Sequence, residues 1–341
     1  MVDISVLGAI ASVGGMGLVF GGGLAYASRK FHVYVDPRVE QIDEELPGAN
    51  CGACGLAGCR QMALKVVDGE LTAAACPVAS AEARERIAAI MGASVETAED
   101  LVAVVRCQGS PDLCHDRFDY HGFESCTASE QVGHGHKACD WGCLGYGDCV
   151  RACPFDAMIM GDDRLPKVLD DNCTGCGLCV EACPRDIMDL IPRTANVFIA
   201  CKNPGRAKEV KAVCKIGCTG CTLCANPKVA PSGQITMADN FLPVFNYQIE
   251  DDPIVAVHKC PTDSLVDKRA GSRPVFYIAE AQCTGTGECA KVCPVKGCIE
   301  QLENGKYTIH ADLCIGCGLC AQVCPDDAVN IMSGLGHAIA V

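Results

Sequence analysis

The sequence predicts an α+β chain of several small modules strung behind an N-terminal helix, and three observations predict it. Cysteine is dense and patterned, with 29 in 341 residues. Short apolar pieces such as Lys167 to Leu169 and Tyr307 to His310 lie between the cysteine runs, at the length of strands in a small hairpin. An uncharged stretch from Ile4 to Ala27 precedes everything else.

The cysteine pattern decides the chemistry. Disulfide frameworks space their cysteines irregularly, whereas C-x2-C-x2-C-x3-C-P occurs intact at Cys173, Cys176, Cys179, Cys183 and again at Cys314, Cys317, Cys320, Cys324. That run curls thiolates around an iron-sulfur cube, with the intervening N–H groups bonding the sulfides. Aromatics are only 5% and glycine reaches 36 residues, which suits modules cored by clusters rather than by large side chains. The formal charge of −14 excludes nucleic-acid binding and calls for partners with local positive surface. Each bound 4Fe-4S centre deepens that charge by roughly −2.

In chain order, residues 1–30 are expected to form a transmembrane anchor. The uncharged run is about 24 residues, or roughly 36 Å of helix. Arg29 and Lys30 follow it and would keep the remainder in the cytoplasm. The expected location is therefore the cell membrane, single-pass, with the C-terminal cluster domains cytoplasmic. Residues 31–45 are acidic and read as a linker. A single 4Fe-4S domain follows over 46–80, with Cys51, Cys54, Cys59 and Cys76 as ligands; a four-cysteine zinc site is the competing reading of that spacing. Residues 81–135 carry Ala and Glu at helical spacing and read as a helical connecting segment.

The array occupies the rest. Cys139, Cys143, Cys149 and Cys153 with Cys173, Cys176, Cys179 and Cys183 make a two-cluster ferredoxin domain over 136–195. In such modules the cysteine before proline ligates the neighbouring cluster, which pairs Cys139, Cys143, Cys149 with Cys183, and Cys173, Cys176, Cys179 with Cys153. A single-cluster ferredoxin-like domain over 196–270 uses Cys218, Cys221, Cys224 and Cys260. A second two-cluster domain over 271–333 uses Cys283, Cys289, Cys293 and Cys298 with Cys314, Cys317, Cys320 and Cys324. Thr286 stands where its second ligand is due, so that cluster is expected as 3Fe-4S or as one completed by Cys298. Residues 334–341 form a tail. Six Cys-Pro steps point to six clusters, within a range of five to seven. Five thiols remain: Cys107, Cys114, Cys126, Cys201 and Cys214. Of these, Cys107, Cys126, Cys201 and Cys214 are candidates for one further cluster, the alternative being incidental buried thiols. The fold class is thus α+β: an N-terminal transmembrane helix, a small 4Fe-4S domain, then tandem bacterial-type ferredoxin modules that are βαβ-like and cluster-cored.

This order of parts resembles a known family. It is carried by Leu46-Pro47-Gly48-Ala49-Asn50-Cys51-Gly52-Ala53-Cys54-Gly55 and by Gly142-Cys143-Leu144-Gly145-Tyr146-Gly147-Asp148-Cys149. Both runs resemble the B subunit of the Rnf complex, the ion-translocating ferredoxin:NAD oxidoreductase, and the resemblance covers nearly the whole chain. It implies a subunit that accepts electrons from reduced soluble ferredoxin and passes them to membrane-embedded and flavin-bearing partner subunits. The long array after Leu190 and the threonine at 286 depart from the family's pattern. No G-x-G-x-x-G lies on a strand-to-helix turn, so no flavin or nucleotide is expected here, no side chain is expected to be catalytic, and the chain's share of the oxidoreductase activity is electron transfer alone. A stand-alone membrane-tethered polyferredoxin and a reducer of a redox-sensing regulator are the two other readings.

Overall fold

The computed structural model describes residues 4–31, 36–94, 99–332 and 338–339. They fall into two units, residues 1–98 and residues 99–341. Most of the expected tail, at 334–337 and 340–341, lies outside the described residues, as do positions 32–35 of the expected linker.

The first unit begins with α1 (Ile4–Lys30), a helix of 27 residues. Among the described residues, however, no helix is long and apolar enough to cross a membrane. The expected transmembrane anchor over 1–30, and the single-pass membrane location built on it, are therefore corrected. The helix carries glycine at 14, 15, 17, 21, 22 and 23 and ends in the polar Ser28, Arg29 and Lys30.

Where an acidic linker is expected, the chain forms α2 (Pro37–Glu45), started by the Asp36 carboxylate accepting from the Arg38 N–H at 2.9 Å, with Pro37 in the first turn. Val39, Ile42 and Leu46 recur at helical spacing and are buried. They pack with Met62, Ala63 and Val66 of α3 (Cys59–Val67) and with Ala83 and Ile87 of α4 (Ala81–Met91). Ser80 caps α4 through the Ala83 N–H, and Gly92, at φ +65°, ends it in the left-handed region.

The second unit repeats one plan three times: an outer antiparallel pair that joins the first and last strands of a module, with a short hairpin between them. In the first module β1 (Leu101–Val105) pairs with β4 (Met188–Pro192) from Leu101↔Pro192 to Val105↔Met188, and β2 (Met158–Met160) pairs with β3 (Pro166–Val168). Residues 81–135 are thus only partly the expected helical segment, since α5 (Cys126–Glu130) is a single short helix and β1 belongs to the ferredoxin sheet. Two one-turn helices, α6 (Asp148–Arg151) and α7 (Leu178–Glu181), carry cysteines inward.

In the second module β5 (Val197–Ile199) pairs with β8 (Leu265–Asp267) around the hairpin of β6 (Ile235–Met237) and β7 (Pro243–Phe245), flanked by α8 (Ala207–Val213) and α9 (Ile254–Lys259). Val102, Val104 and Ile191 of the first module share a small core with Phe198 and Ala200 of the second. In the third, β9 (Val275–Ile278) pairs with β12 (Val329–Met332), β13 (Ala338–Ile339) adds to β12, and β10 (Ile299–Gln301) pairs with β11 (Tyr307–Ile309). Its helices are α10 (Glu288–Val292) and α11 (Leu319–Gln322). Every core described in this unit is small, and among the described residues four of five cores include buried cysteine.

Candidate iron-sulfur centres

The ligand loops owe their curl to glycine. In Cys173-Thr174-Gly175-Cys176-Gly177-Leu178-Cys179, Gly175 and Gly177 sit at φ +64° and +83°, and a Cβ on Gly175 would lie 2.5 Å from the Leu101 carbonyl oxygen. Left-handed backbone at alternate positions turns successive N–H groups and thiols toward one centre. The same loop at 314–320 places Gly316 and Gly318 at +70° each.

Three cavities of similar unfilled volume are each lined by four thiols. Cys153, Cys173, Cys176 and Cys179 line one of about 320 Å³. Cys218, Cys221, Cys224 and Cys260 line another of about 340 Å³. Both sets are those expected from spacing. The third, of about 370 Å³, is lined by Cys126, Cys143, Cys149 and Cys183. Here Cys126 takes the place expected for Cys139.

The exchange has a local cause. Asp148 opens α6 one residue before Cys149, and its carboxylate accepts from the Cys126 N–H (3.0 Å), the Thr127 N–H (3.0 Å) and the Ser125 hydroxyl (2.9 Å). That clamp brings α5 against α6. Burial disfavours the Asp148 charge, but these hydrogen bonds outweigh it and hold the carboxyl below its ordinary range. Meanwhile buried Arg185 donates to the carbonyls of Cys139 (2.7 Å) and Gly142 (3.2 Å), fixing a loop that turns Cys139 into a different cavity. That cavity, of about 360 Å³, is lined by Cys107, Cys114, Cys139, Cys201 and Cys214. The expected grouping of Cys126 with Cys107, Cys201 and Cys214 is therefore not the one the fold makes.

In the third module Cys289 faces Cys283 and Cys324, while Cys317 and Cys320 face Cys293 and Cys314. Cys298 is buried, lies against Cys293, Cys314 and Cys320, and is 3.8 Å from the His310 carbonyl oxygen. It stands beside the thiols of Cys293, Cys314 and Cys320. Thr286 is exposed between Gly285 (φ +79°) and Gly287 (φ +76°), in the place Cys176 holds in the first module. In the first unit Cys76 faces Cys54 and Cys59. Asn50 opens that loop after Gly48, and its Oδ1 accepts from the Cys59 N–H at 2.8 Å. A Cβ on Gly58 would approach this oxygen to 2.6 Å.

These thiol sets fit iron-sulfur clusters. Among the described residues no three His, Cys, Asp or Glu side chains converge closely enough to hold a single metal ion. A tetrahedral zinc, bound at about 2.3 Å from each sulfur, needs a tighter set than these. Backbone donors also reach the sulfurs, as Ala103 N–H does to Cys173 (3.4 Å) and Ala328 N–H to Cys324 (3.4 Å). Burial pushes the thiols of Cys149, Cys179, Cys224 and Cys320 up to about 12, so thiolates there require a compensating cation such as cluster iron.

Family comparisons agree with this chemistry. A family model described as Fe-S cluster matches residues 46–78, a 4Fe-4S dicluster domain matches 139–190, and a 4Fe-4S binding domain matches 307–330. The B subunit of the Na(+)-translocating ferredoxin:NAD(+) oxidoreductase complex of Acetobacterium woodii is 39% identical over 63% of this chain and 64% of its own length. The B subunit of the proton-translocating ferredoxin:NAD(+) oxidoreductase complex of Clostridium ljungdahlii is 40% identical over 60% of this chain and 72% of its own. The B subunit of the ion-translocating oxidoreductase complex of Methanosarcina acetivorans is 34% identical over 85% of this chain and 97% of its own. By that near end-to-end match, the chain belongs to the family of B subunits of ion-translocating oxidoreductase complexes.

Proposed function

We propose that this chain is the electron-relay subunit of such a complex, accepting electrons from reduced soluble ferredoxin and passing them through its clusters to flavin-bearing partner subunits. The observation that carries this reading is the placing of cysteines at both ends of the short helices. Cys149 lines one cavity and Cys153 another, and Cys183 and Cys179 do the same from α7. Four residues of helix rise only about 6 Å, so two clusters sharing such a helix are near neighbours for electron transfer. The clusters supply one-electron storage; the chain's own residues fix their spacing and, through N–H donors, their potentials.

Six sites follow from this reading: one in the first unit, two in the first module, one in the second and two in the third. The acidic surface, at a formal charge of −14, favours partners with basic docking patches and salt-sensitive encounters.

Stopped-flow mixing of the cluster-loaded chain with photoreduced ferredoxin tests the proposal. Rapid bleaching of the cluster absorbance, slowed by added salt, is expected. Retention of electrons by ferredoxin at a potential below that of the clusters would sink the relay role. Copurification of the loaded chain with no partner chain would instead favour a stand-alone polyferredoxin.

A further inference from the structure

We propose that Cys107, Cys139, Cys201 and Cys214 hold a further 4Fe-4S cluster that bridges the first and second ferredoxin modules, with Cys114 as an outer thiol beside Cys214. None of the three matched family models covers this set, since only Cys139 falls inside one of them.

The site is built from four separate segments: Cys107 just after β1, Cys139 in the loop before α6, Cys201 just after β5, and Cys214 at the C-terminus of α8. Convergence of thiols from four segments on one pocket is unlike incidental packing, which would close the gap with side chains. The pocket, partly open to solvent, spans about 360 Å³, against 320 to 370 Å³ in the three four-thiol pockets of the ferredoxin modules.

The sulfurs are also supplied with donors. The N–H groups of Gly109 and Cys143 each lie 3.3 Å from Cys107 Sγ, and Asn203 Nδ2 lies 3.4 Å from Cys139 Sγ. Backbone N–H groups of Ile216 and Gly217 serve Cys214, and those of Asn203 and Cys218 serve Cys201. Donors of this kind stabilise ligating thiolates and tune cluster potential.

Five thiols exceed the four a cube needs, and geometry names the extra one. Cys114 lines the same space and is joined to Cys214 by an isolated antiparallel β-bridge, which sets their Cβ atoms about 5 Å apart. A cube seats its ligands on corners that stand apart, so of two thiols side by side on one bridge only one takes a corner; Cys214 takes it here and Cys114 stands behind it. A Cβ on Gly109 would come within 3.1 Å of the Cys114 Cβ, a tight approach that packs this part of the wall closely.

The position suits a bridge. Cys143, whose N–H reaches Cys107, lines the cavity of Cys126, Cys149 and Cys183, and Cys201 shares a core with Cys218 of the next site. The place of this cluster in an electron path rests on the relay reading, but its existence does not.

Anaerobic native mass spectrometry of the full chain, with iron and sulfide analysis, tests it. Cys107→Ala and Cys201→Ala should each lower the count by one cluster, about four iron and four sulfide per chain, while Cys114→Ser keeps the wild-type count. An unchanged count in Cys107→Ala and Cys201→Ala overturns the proposal. A count lowered by Cys114→Ser but not by Cys201→Ala overturns the ligand set. Should either alanine variant shed several clusters by misfolding, the wild-type count decides: one cluster more than the six sites named above supports the bridge, and six or fewer overturns it. Electron uptake from ferredoxin plays no part in this readout, so failure of the relay reading would leave it standing.

Discussion

The first and third ferredoxin modules share a strand plan and a glycine pattern but differ in how they complete their thiol sets. The first draws a ligand candidate, Cys126, from outside its regular cysteine run through the Asp148 clamp. The third keeps the curl of its loop, with Gly285 and Gly287 at φ +79° and +76°, yet carries Thr286 at the second ligand position. The backbone shape of a cluster loop is therefore set by glycine and by the sheet it leans on, independently of whether every thiol is present.

The strongest way to break the comparison is to remove the borrowed thiol. Cys126→Ala should cost the first module one whole cluster, about four iron by analysis of the anaerobic protein, although Cys126 lies outside the regular cysteine run. Retention of that iron would return the site to Cys139. A smaller change is expected from Thr286→Cys, which should add about one iron to the third module and abolish a paramagnetic signal of the oxidised wild type, read by electron paramagnetic resonance. Cys298→Ser should leave that signal unaltered, because Cys298 stands among Cys293, Cys314 and Cys320.

Matched glycine substitutions sharpen the comparison further. A Cβ on Gly175 would meet the Leu101 carbonyl oxygen at 2.5 Å, and one on Gly285 the Gly305 oxygen at 2.6 Å. Each change to alanine should lower stability by more than about 1 kcal/mol in thermal unfolding, alike in the two modules despite their different thiol complement. Asp148→Asn should have the smallest effect, about 1 kcal/mol, from weakened hydrogen bonds to Ser125, Cys126 and Thr127. The folded-state value of Asp148 is lowered, so its contribution is fully present above the ordinary carboxylate range and is lost as pH falls through the lowered value. The difference between wild type and variant in pH-dependent unfolding should accordingly vanish in strong acid.

Regular spacing made the two intact runs, the single-cluster set and the ferredoxin modules legible before any fold was known. What spacing could not show was which thiols meet across segments. Cys126 has no neighbouring cysteine in register, and the one signal pointing toward it was the stretched Cys139-x3-Cys143-x5-Cys149, whose irregularity marks a loop serving two sites. The helix at Pro37–Glu45 was hidden by its charge, because Glu40, Asp43, Glu44 and Glu45 outnumber the Val39 and Ile42 that α2 buries. At the N-terminus the anchor expectation rests on the absence of charge, and among the described residues no helix is long and apolar enough to support it.

The one-turn helices α6 and α7 link how the protein is made to how it is lost. Each helix holds a thiol of one site in its turn and is followed, two residues past its end, by a thiol of the other. Building the first cube therefore orients half of the scaffold for the second, so biogenesis of the pair should proceed in concert rather than one centre at a time. The same coupling works in reverse under oxygen: corrosion of one cube releases the helix that supports its twin, and the pair fails together.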